Sequence, residues 1–135
     1  ELKLIESLKG PDDIQHFLQA LNETGVTDLN FEVDHRGNLF HYVICIDRPN
    51  IANFIFSMRD DVNIDIEEGN YFGVMPIVYA VQDDIFLELT KNLLAASSDK
   101  ETAFKEALRV AEMFAYKKEN KETLRYLKGL SKKGK

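Results

Sequence analysis

Asp34-His35-Arg36-Gly37-Asn38-Leu39-Phe40-His41-Tyr42-Val43 is the stretch on which the fold prediction depends, together with Asp61-Val62-Asn63-Ile64-Asp65 further along the chain. The first stretch predicts a tight turn that leads into a short buried helix. Gly37 suits a positive φ in such a turn, and Asp34 suits the capping of local backbone amides. A second helix, from Ile51 to about Met58, follows and returns to a loop.

The same turn-and-helix pattern comes back along the chain. Asn30 and Asn63 are related by an offset of 33 residues (63 − 30), and residues 14, 17 and 18 correspond to 51, 54 and 55 with an offset of 37 (51 − 14). Residues 70–80 restate the turn and first helix, and residues 120–127 restate the second helix. Four partial copies with periods of thirty-odd residues indicate a helical repeat protein.

The recurring residues resemble the ankyrin repeat. That family's repeat opens Asp-x-x-Gly-x-Thr-Pro-Leu-His-x-Ala, continues through a Gly-Asn-x-x-Ile-Val-x-x-Leu-Leu helix and ends near Ala-Asp-Val-Asn. The matching positions in three successive copies are Gly10, Ile14, Phe17, Leu18, Asp28 and Asn30; then Asp34, Gly37, His41, Ile51, Phe54, Ile55 and Asp61 to Asn63; then Asn70, Gly73, Pro76, Ile77 and Ala80. The resemblance implies an all-α, ankyrin-repeat-like solenoid of helix-turn-helix units with short hairpin fingers.

The sequence also departs from the family pattern. One residue is missing between Gly37 and His41, Val78 replaces the usual histidine, and the loop from 63 to 73 is long. Residues 103–116 contain no turn motif, so we interpret them as a helical cap covering the end of the stack. An irregular all-α bundle is the alternative fold.

We predict one domain over residues 1–135. It divides into a partial first repeat (1–33), a second (34–66), a third (67–98), a cap or divergent repeat (99–130) and a basic tail (131–135). Helices are expected at about 2–8, from 12 or 13 to 21, with a loop over 22–36, at 39–46, 51–58, 76–81 and 85–96, from 99 or 102 to 116, and after 120. Residues 67–70 are expected at the tip of the second finger. The inward-facing side chains of the last two helices are expected to be Phe104, Leu108, Ala111, Ala115, Leu124 and Leu127.

Charge and composition exclude several classes of function. The net charge of −6 argues against nucleic acid as the main partner. The sequence contains no run of about 18 apolar residues, so it predicts no membrane span. Residues 117–135 hold eight Lys or Arg against two Glu, net +6, which we interpret as a basic helix end and frayed tail rather than an anionic-surface contact. The single cysteine, Cys45, fits a reducing compartment and is expected in the core.

The sequence offers no catalytic, cofactor-binding or metal-ligating pattern. None of the histidines, His16, His35 and His41, has an acidic residue at the spacing of a catalytic or metal motif. His41 is expected to be buried and to fix its turn by hydrogen bonding to the backbone. His16 and the acidic pairs at 60–61 and 67–68 are expected to be solvated. We therefore predict a protein that is not an enzyme and has no cofactor.

The ankyrin resemblance implies a protein partner held by finger tips and inner helices. The corresponding finger positions are His35, Arg36, Asn38, Tyr71, Phe72 and Val74, and the inner-helix positions are Ile46, Gln82 and Asp83. Tyr71 and Phe72 are the most informative pair, since exposed aromatic side chains are enriched in binding hot spots. The alternative for this pair is that one ring folds back onto a neighbouring element.

We predict a protein–protein interaction module that acts in the cytoplasm, or in the host cytoplasm if the protein is a secreted effector. Two other functions stay open. One is the recognition segment of a larger enzyme or effector, which the start at Glu1 inside a predicted helix favours. The other is a structural or dimerising helical domain that associates through residues 104–127.

Overall fold

The computed structural model describes residues 2–33 and 37–133, and this part of the chain is mostly helical. The α-helices are α1 (Leu2–Ser7), α2 (Ile14–Thr24), α3 (Leu39–Cys45), α4 (Pro49–Ser57), α5 (Pro76–Ala80), α6 (Leu87–Ala96), α7 (Lys100–Met113) and α8 (Lys121–Lys133). Short 3-10 turns at Asp84–Phe86 and Lys118–Asn120 precede α6 and α8. Within the described ranges the only extended pairing is one isolated bridge, so the all-α prediction is confirmed.

The chain forms two compact units, residues 1–76 and 77–135. In the first unit α1 packs on α2, α3 packs on α4, and α2 contacts α4. Phe17 of α2 and Phe54 of α4 meet edge to face with 6.3 Å between ring centroids. The large side chains buried in this unit are Leu4, Leu8, Phe17, Leu29, Leu39, Phe40, Ile51 and Ile55.

Local signals start and stop the helices of the first unit. Pro11 separates α1 from α2, and the Asp13 carboxylate caps α2 by accepting from the amide of Gln15. Gly25 ends α2 in the left-handed conformation, at φ +67°. Pro49 occupies the first turn of α4, where its missing amide costs nothing. The expected positions of these helices are confirmed to within three residues at each end, the largest difference being that α2 ends at Thr24 instead of Leu21.

In the second unit α6 packs on α7 and α7 packs on α8. The buried face of α7 carries the small residues Ala103, Ala107 and Ala111 with Val110. The predicted inward face is therefore wrong in phase for the α7 residues Phe104 and Leu108, which are only half-buried, and Ala115, also half-buried, lies beyond the end of α7. Alanines four residues apart let a neighbouring helix approach closely, and this packing outweighs the greater hydrophobicity of Phe104 and Leu108.

Three further expectations need correction. α7 ends at Met113 rather than near Tyr116, since Phe114 already has a non-helical cap geometry. α8 continues to Lys133, so residues 131–133 are helical rather than frayed. Cys45 is half-buried rather than in the core, because it is the last residue of α3.

The longest described helix, α7, has 14 residues, and none of the described helices combines the length and apolar composition needed to cross a bilayer.

Candidate partner-binding surface

In each unit one aspartate carboxylate accepts hydrogen bonds from the first turn of a later helix. The Asp12 carboxylate accepts from the amides of Asn50 (2.8 Å) and Ile51 (2.9 Å) in the first turn of α4. The Asp84 carboxylate accepts in the same way from the amide and hydroxyl of Thr123 (both 2.8 Å) in α8. The first amides of a helix lack intrahelical partners and favour negative charge. Both aspartates reach 38 to 39 residues along the chain.

Sequence reasoning missed these two aspartates, although the chain carries a signal for them. The tripeptide Asp-Asp-Ile occurs at 12–14 and again at 83–85. In each copy one aspartate caps the helical segment that follows it: Asp13 accepts from the amide of Gln15, and Asp83 accepts from the amide of Ile85 at 3.0 Å. The other aspartate of each copy, Asp12 or Asp84, is the long-range cap. The order of the two roles is reversed between the copies.

Two loops of the first unit run side by side. We call residues 25–38 the first finger and residues 58–75 the second finger. The amide of Leu29 donates to the carbonyl of Asn63 (2.8 Å), and the amide of Asn63 donates to the carbonyl of Thr27 (2.9 Å). A parallel bridge between Asp28 and Asn63 results. Backbone hydrogen bonds therefore hold the two fingers together.

Asn38 joins the fingers instead of facing outward. Its side-chain Oδ1 caps α3 by accepting from the amide of His41 (3.1 Å). Its Nδ2 donates to the backbone carbonyl of Asp65 (2.8 Å) and to Oδ1 of Asn30 (3.2 Å). Only 3% of Asn38 is exposed. The expectation that Asn38 points outward is wrong, because the capping side chain is used inside the molecule.

His41 links α3 to the second finger and is fully buried. Its Nε2 lies 3.0 Å from the carbonyl oxygen of Val74, and its Nδ1 lies 3.3 Å from the amide nitrogen of Asn38. We assign the proton to Nε2, so that Nε2–H donates to Val74 and Nδ1 accepts from Asn38. Burial lowers the pKa of His41, opposed in part by its backbone hydrogen bonds. The prediction that His41 fixes the turn is confirmed.

Gly37 makes this arrangement possible. Its φ is +106°, as the turn prediction required. A Cβ at this position would overlap the imidazole ring of His41. Only glycine combines this backbone conformation with so close an approach.

The second finger turns sharply at Tyr71 and Phe72. The amide of Gly73 donates to the carbonyl of Asn70 (2.8 Å), and the Asn70 amide donates to the carbonyl of Val74 (3.0 Å). Oδ1 of Asn70 accepts from the amides of Phe72 (2.9 Å) and Val74 (3.0 Å). Asn70 is therefore buried, and the tip expected at residues 67–70 lies instead at Tyr71 and Phe72.

Tyr71 and Phe72 form an exposed aromatic pair. Their exposed fractions are 74% and 75%, so most of the surface of both side chains is accessible. The two rings meet edge to face with 5.3 Å between centroids, the geometry that aromatic quadrupoles favour. A shallow cavity of about 320 Å³ between the fingers adjoins Tyr71; its lining is Asn30, Glu32, Gly37, Asn38, Glu68, Gly69, Asn70 and Tyr71.

The other predicted binding residues are less accessible. Ile46 and Val74 are half-buried, Ile46 as the cap residue that follows α3. In the second unit Nε2 of Gln82 donates to the carbonyl of Val78 (3.0 Å), and Asp83 caps the turn before α6. His35 and Arg36 lie outside the described residues. Among the predicted residues, the structure thus brings Tyr71 and Phe72 together on the surface.

The remaining histidine and the acidic side chains of the described residues do not form a metal site. The side chain of His16 is exposed, as expected. No group of three or more His, Cys, Asp or Glu side chains within 2–33 and 37–133 is arranged to hold a metal ion. Comparisons with protein-family models, curated proteins and solved structures found no match to the chain.

Proposed function

We propose that the chain is a protein–protein interaction module built from ankyrin-like repeats and that the Tyr71–Phe72 pair is its main contact with a protein partner. The exposed pair at a well-defined turn is the observation that carries this proposal. Large aromatic side chains in water leave apolar surface that gains free energy when a partner covers it. Rigid aromatic anchors of this kind are common at the centres of protein interfaces.

The turn that carries the pair supports the proposal. Asn70 accepts two backbone amides within the turn, and Gly73 adopts φ +76°. His41 of α3 forms a hydrogen bond with the carbonyl of Val74 in the second finger, and Asn38 of the first finger donates to the carbonyl of Asp65 in the second. A partner therefore meets rings whose backbone is already ordered, which lowers the entropy lost on binding.

The repeat assignment is part of the same proposal. It is supported by the paired helices, by positive φ at Gly37 and Gly73, by the buried His41 and by the capping aspartates at a spacing of 38 to 39 residues. We place the site of action in a reducing compartment such as the cytoplasm, because the sequence has a single cysteine and therefore no disulfide framework of its own. The same surface would serve if the chain is the recognition segment of a larger enzyme or effector.

The test compares wild type with the Tyr71→Ser/Phe72→Ser variant. Tyr116→Ser is the matched control, because Tyr116 is an exposed aromatic residue of the second unit, with 79% of its surface accessible. Each protein is used to capture partners from a lysate of the source cell, and the affinity of the purified partner is then measured by calorimetry. We expect the double variant to lose about 2–4 kcal/mol of binding free energy and Tyr116→Ser to bind as wild type does.

Thermal unfolding of all three proteins serves as the folding control. The exposed rings contribute little to the core, so the unfolding temperatures should agree closely. Equal affinity of wild type and the double variant for the captured partner would refute the role of the aromatic pair. Self-association in sedimentation experiments that depends on residues 104–127 would favour the dimerising function instead.

A further inference from the structure

A row of cations lies on the solvent side of α8. The cations are spaced four, three and four residues apart, and all are exposed: Lys121, Arg125, Lys128 and Lys132. On an α-helix this spacing keeps them within a strip about 60° wide and about 16 Å long. The opposite face of α8 carries Thr123 and Leu127, which are fully buried in the second unit. We call the four cations the basic stripe.

The fold itself does not account for the basic stripe. Cations four residues apart on one helix face repel each other and destabilise the helix. In the described part of the chain, Arg125, Lys128 and Lys132 form no ion pair that would offset this repulsion. Lys121 donates to the carbonyl of Ala115 at 3.4 Å, which ties down one end of the stripe only weakly.

Gly129 lies beside the stripe in the interior of α8. Glycine in a helix interior lowers stability relative to alanine. Its backbone has no positive φ, and a Cβ built there would meet no atom within 4 Å, so neither conformation nor packing requires glycine. A shallow notch of about 410 Å³ is lined by the basic stripe, Leu124 and Gly129.

We propose that the basic stripe and the Gly129 notch dock an acidic helical segment of a protein partner. Carboxylates at positions i, i+4, i+7 and i+11 of such a helix would have the same spacing as the four cations. The glycine would let the partner's backbone approach α8 closely, next to the apolar side chain of Leu124.

The charge distribution favours a short acidic segment over an extended polyanion. Residues 77–135 contain 12 Lys or Arg and 9 Asp or Glu, net +3, whereas residues 1–76 contain 5 and 14, net −9. A nucleic acid or an anionic membrane extends beyond the stripe and is repelled by a chain of net charge −6. A peptide helix as short as the stripe interacts mainly with the four cations, because charges beyond about 10 Å are screened.

The probe is a fluorescein-labelled Ala/Gln helix with four glutamates at i, i+4, i+7 and i+11. A second peptide of the same composition has its glutamates spread around the helix. Binding to the full chain is measured by fluorescence anisotropy at low and at high ionic strength. We expect the patterned peptide to bind about tenfold more tightly than the spread one, with less binding at high ionic strength.

Two variants test the two parts of the surface. Arg125→Glu/Lys128→Glu should weaken binding of the patterned peptide by about tenfold or more. The control with the same net charge is Lys100→Glu/Lys105→Glu, two exposed cations of α7, and it should bind nearly as wild type does. Gly129→Ala should raise the unfolding temperature and still weaken binding several-fold, an outcome that loss of folding cannot produce.

Other outcomes would overturn the proposal. Equal affinity for both peptides, or equal losses of affinity in the α7 and α8 charge variants, would show that binding depends on net charge and not on the basic stripe. Tighter binding of an oligonucleotide or of phosphatidylserine vesicles than of the patterned peptide would replace the protein partner by another anion. Self-association that is lost in Arg125→Glu/Lys128→Glu would identify a second copy of the chain as the occupant. None of these results depends on Tyr71 and Phe72, so this proposal and the proposed function are tested separately.

Discussion

Individual side chains at the base of the fingers act as a connected set. His41 connects the cap of α3 with the carbonyl of Val74, and Asn38 connects the same cap with Asp65. Gly37 leaves the space that the imidazole ring fills. A change at any one of these residues leaves buried polar groups of the others without partners, and such losses are costly.

Replacement of Gly37 should be severely destabilising. In Gly37→Ala the new Cβ meets the His41 ring at a backbone φ of +106°, so strain and overlap add. We expect a loss of about 3 kcal/mol or more of unfolding free energy, measured by urea denaturation. Gly73→Ala is the control, since its φ is +76° but no atom lies within 4 Å of the added Cβ; it should lose about 1 kcal/mol. Similar losses in the two variants would show that overlap with His41 is unimportant.

The buried His41 should make stability depend on pH. Burial lowers its folded pKa below the ordinary value of 6.5, so the unfolded chain binds a proton more readily. The stabilising contribution of neutral His41 is complete above pH 6.5 and is lost as the pH falls below it, by up to about 1.4 kcal/mol per pH unit.

The measurement is the free energy of unfolding between pH 7 and about pH 5. His41→Gln should remove most of the slope in this range, whereas His16→Gln, at an exposed position, should leave it unchanged. An unaltered slope in His41→Gln would assign the pH dependence to other groups.

At the level of secondary-structure elements, one carboxylate in each unit connects two helical segments that are separated in the chain by another helix. Asp12 caps α4, and Asp84 caps α8, each from a position just before another helical segment. Each carboxylate also places a negative charge at the positive end of a helix dipole. These contacts therefore align the segments as well as satisfying the amides.

Asp12→Ala and Asp84→Ala should each lower the free energy of unfolding by about 2 kcal/mol, because two first-turn amides lose their partners. Hydrogen exchange should accelerate at Asn50 and Ile51 in the first variant, and at Glu122 and Thr123 in the second. Asp61→Ala, which removes an exposed loop carboxylate, is the control and should change stability by less than about 0.5 kcal/mol. Losses no larger than that of the control would mean that water replaces these caps.

At the level of the whole molecule, two compact units share one design of paired helices while their charges differ. The first unit is strongly acidic and presents the Tyr71–Phe72 pair, and the second carries the basic stripe. Each unit thus has one exposed feature that its own fold does not require. The two proposed contacts differ in chemistry, one aromatic and one electrostatic, so they should respond differently to salt.

The sequence by itself determined the helices, their approximate ends and the special backbone positions. The local helix caps Asp13 and Asp83, the prolines in first turns and the positive φ of Gly37 depend on neighbours within a few residues. Local patterns therefore suffice to predict them. The sequence did not reveal the long-range caps Asp12 and Asp84, and the repeat type stays a proposal.

Only the tertiary structure decided which side chains remained on the surface. Asn38 looks like an exposed loop residue, yet it is buried and its side chain donates to the distant carbonyl of Asp65. The alanines of α7 outcompete Phe104 for the buried face because a neighbouring helix packs closely there. The turn closed by Asn70 leaves Tyr71 and Phe72 exposed. The burial of Asn38 and of the α7 alanines depends on contacts between residues far apart in the chain, which no local pattern encodes.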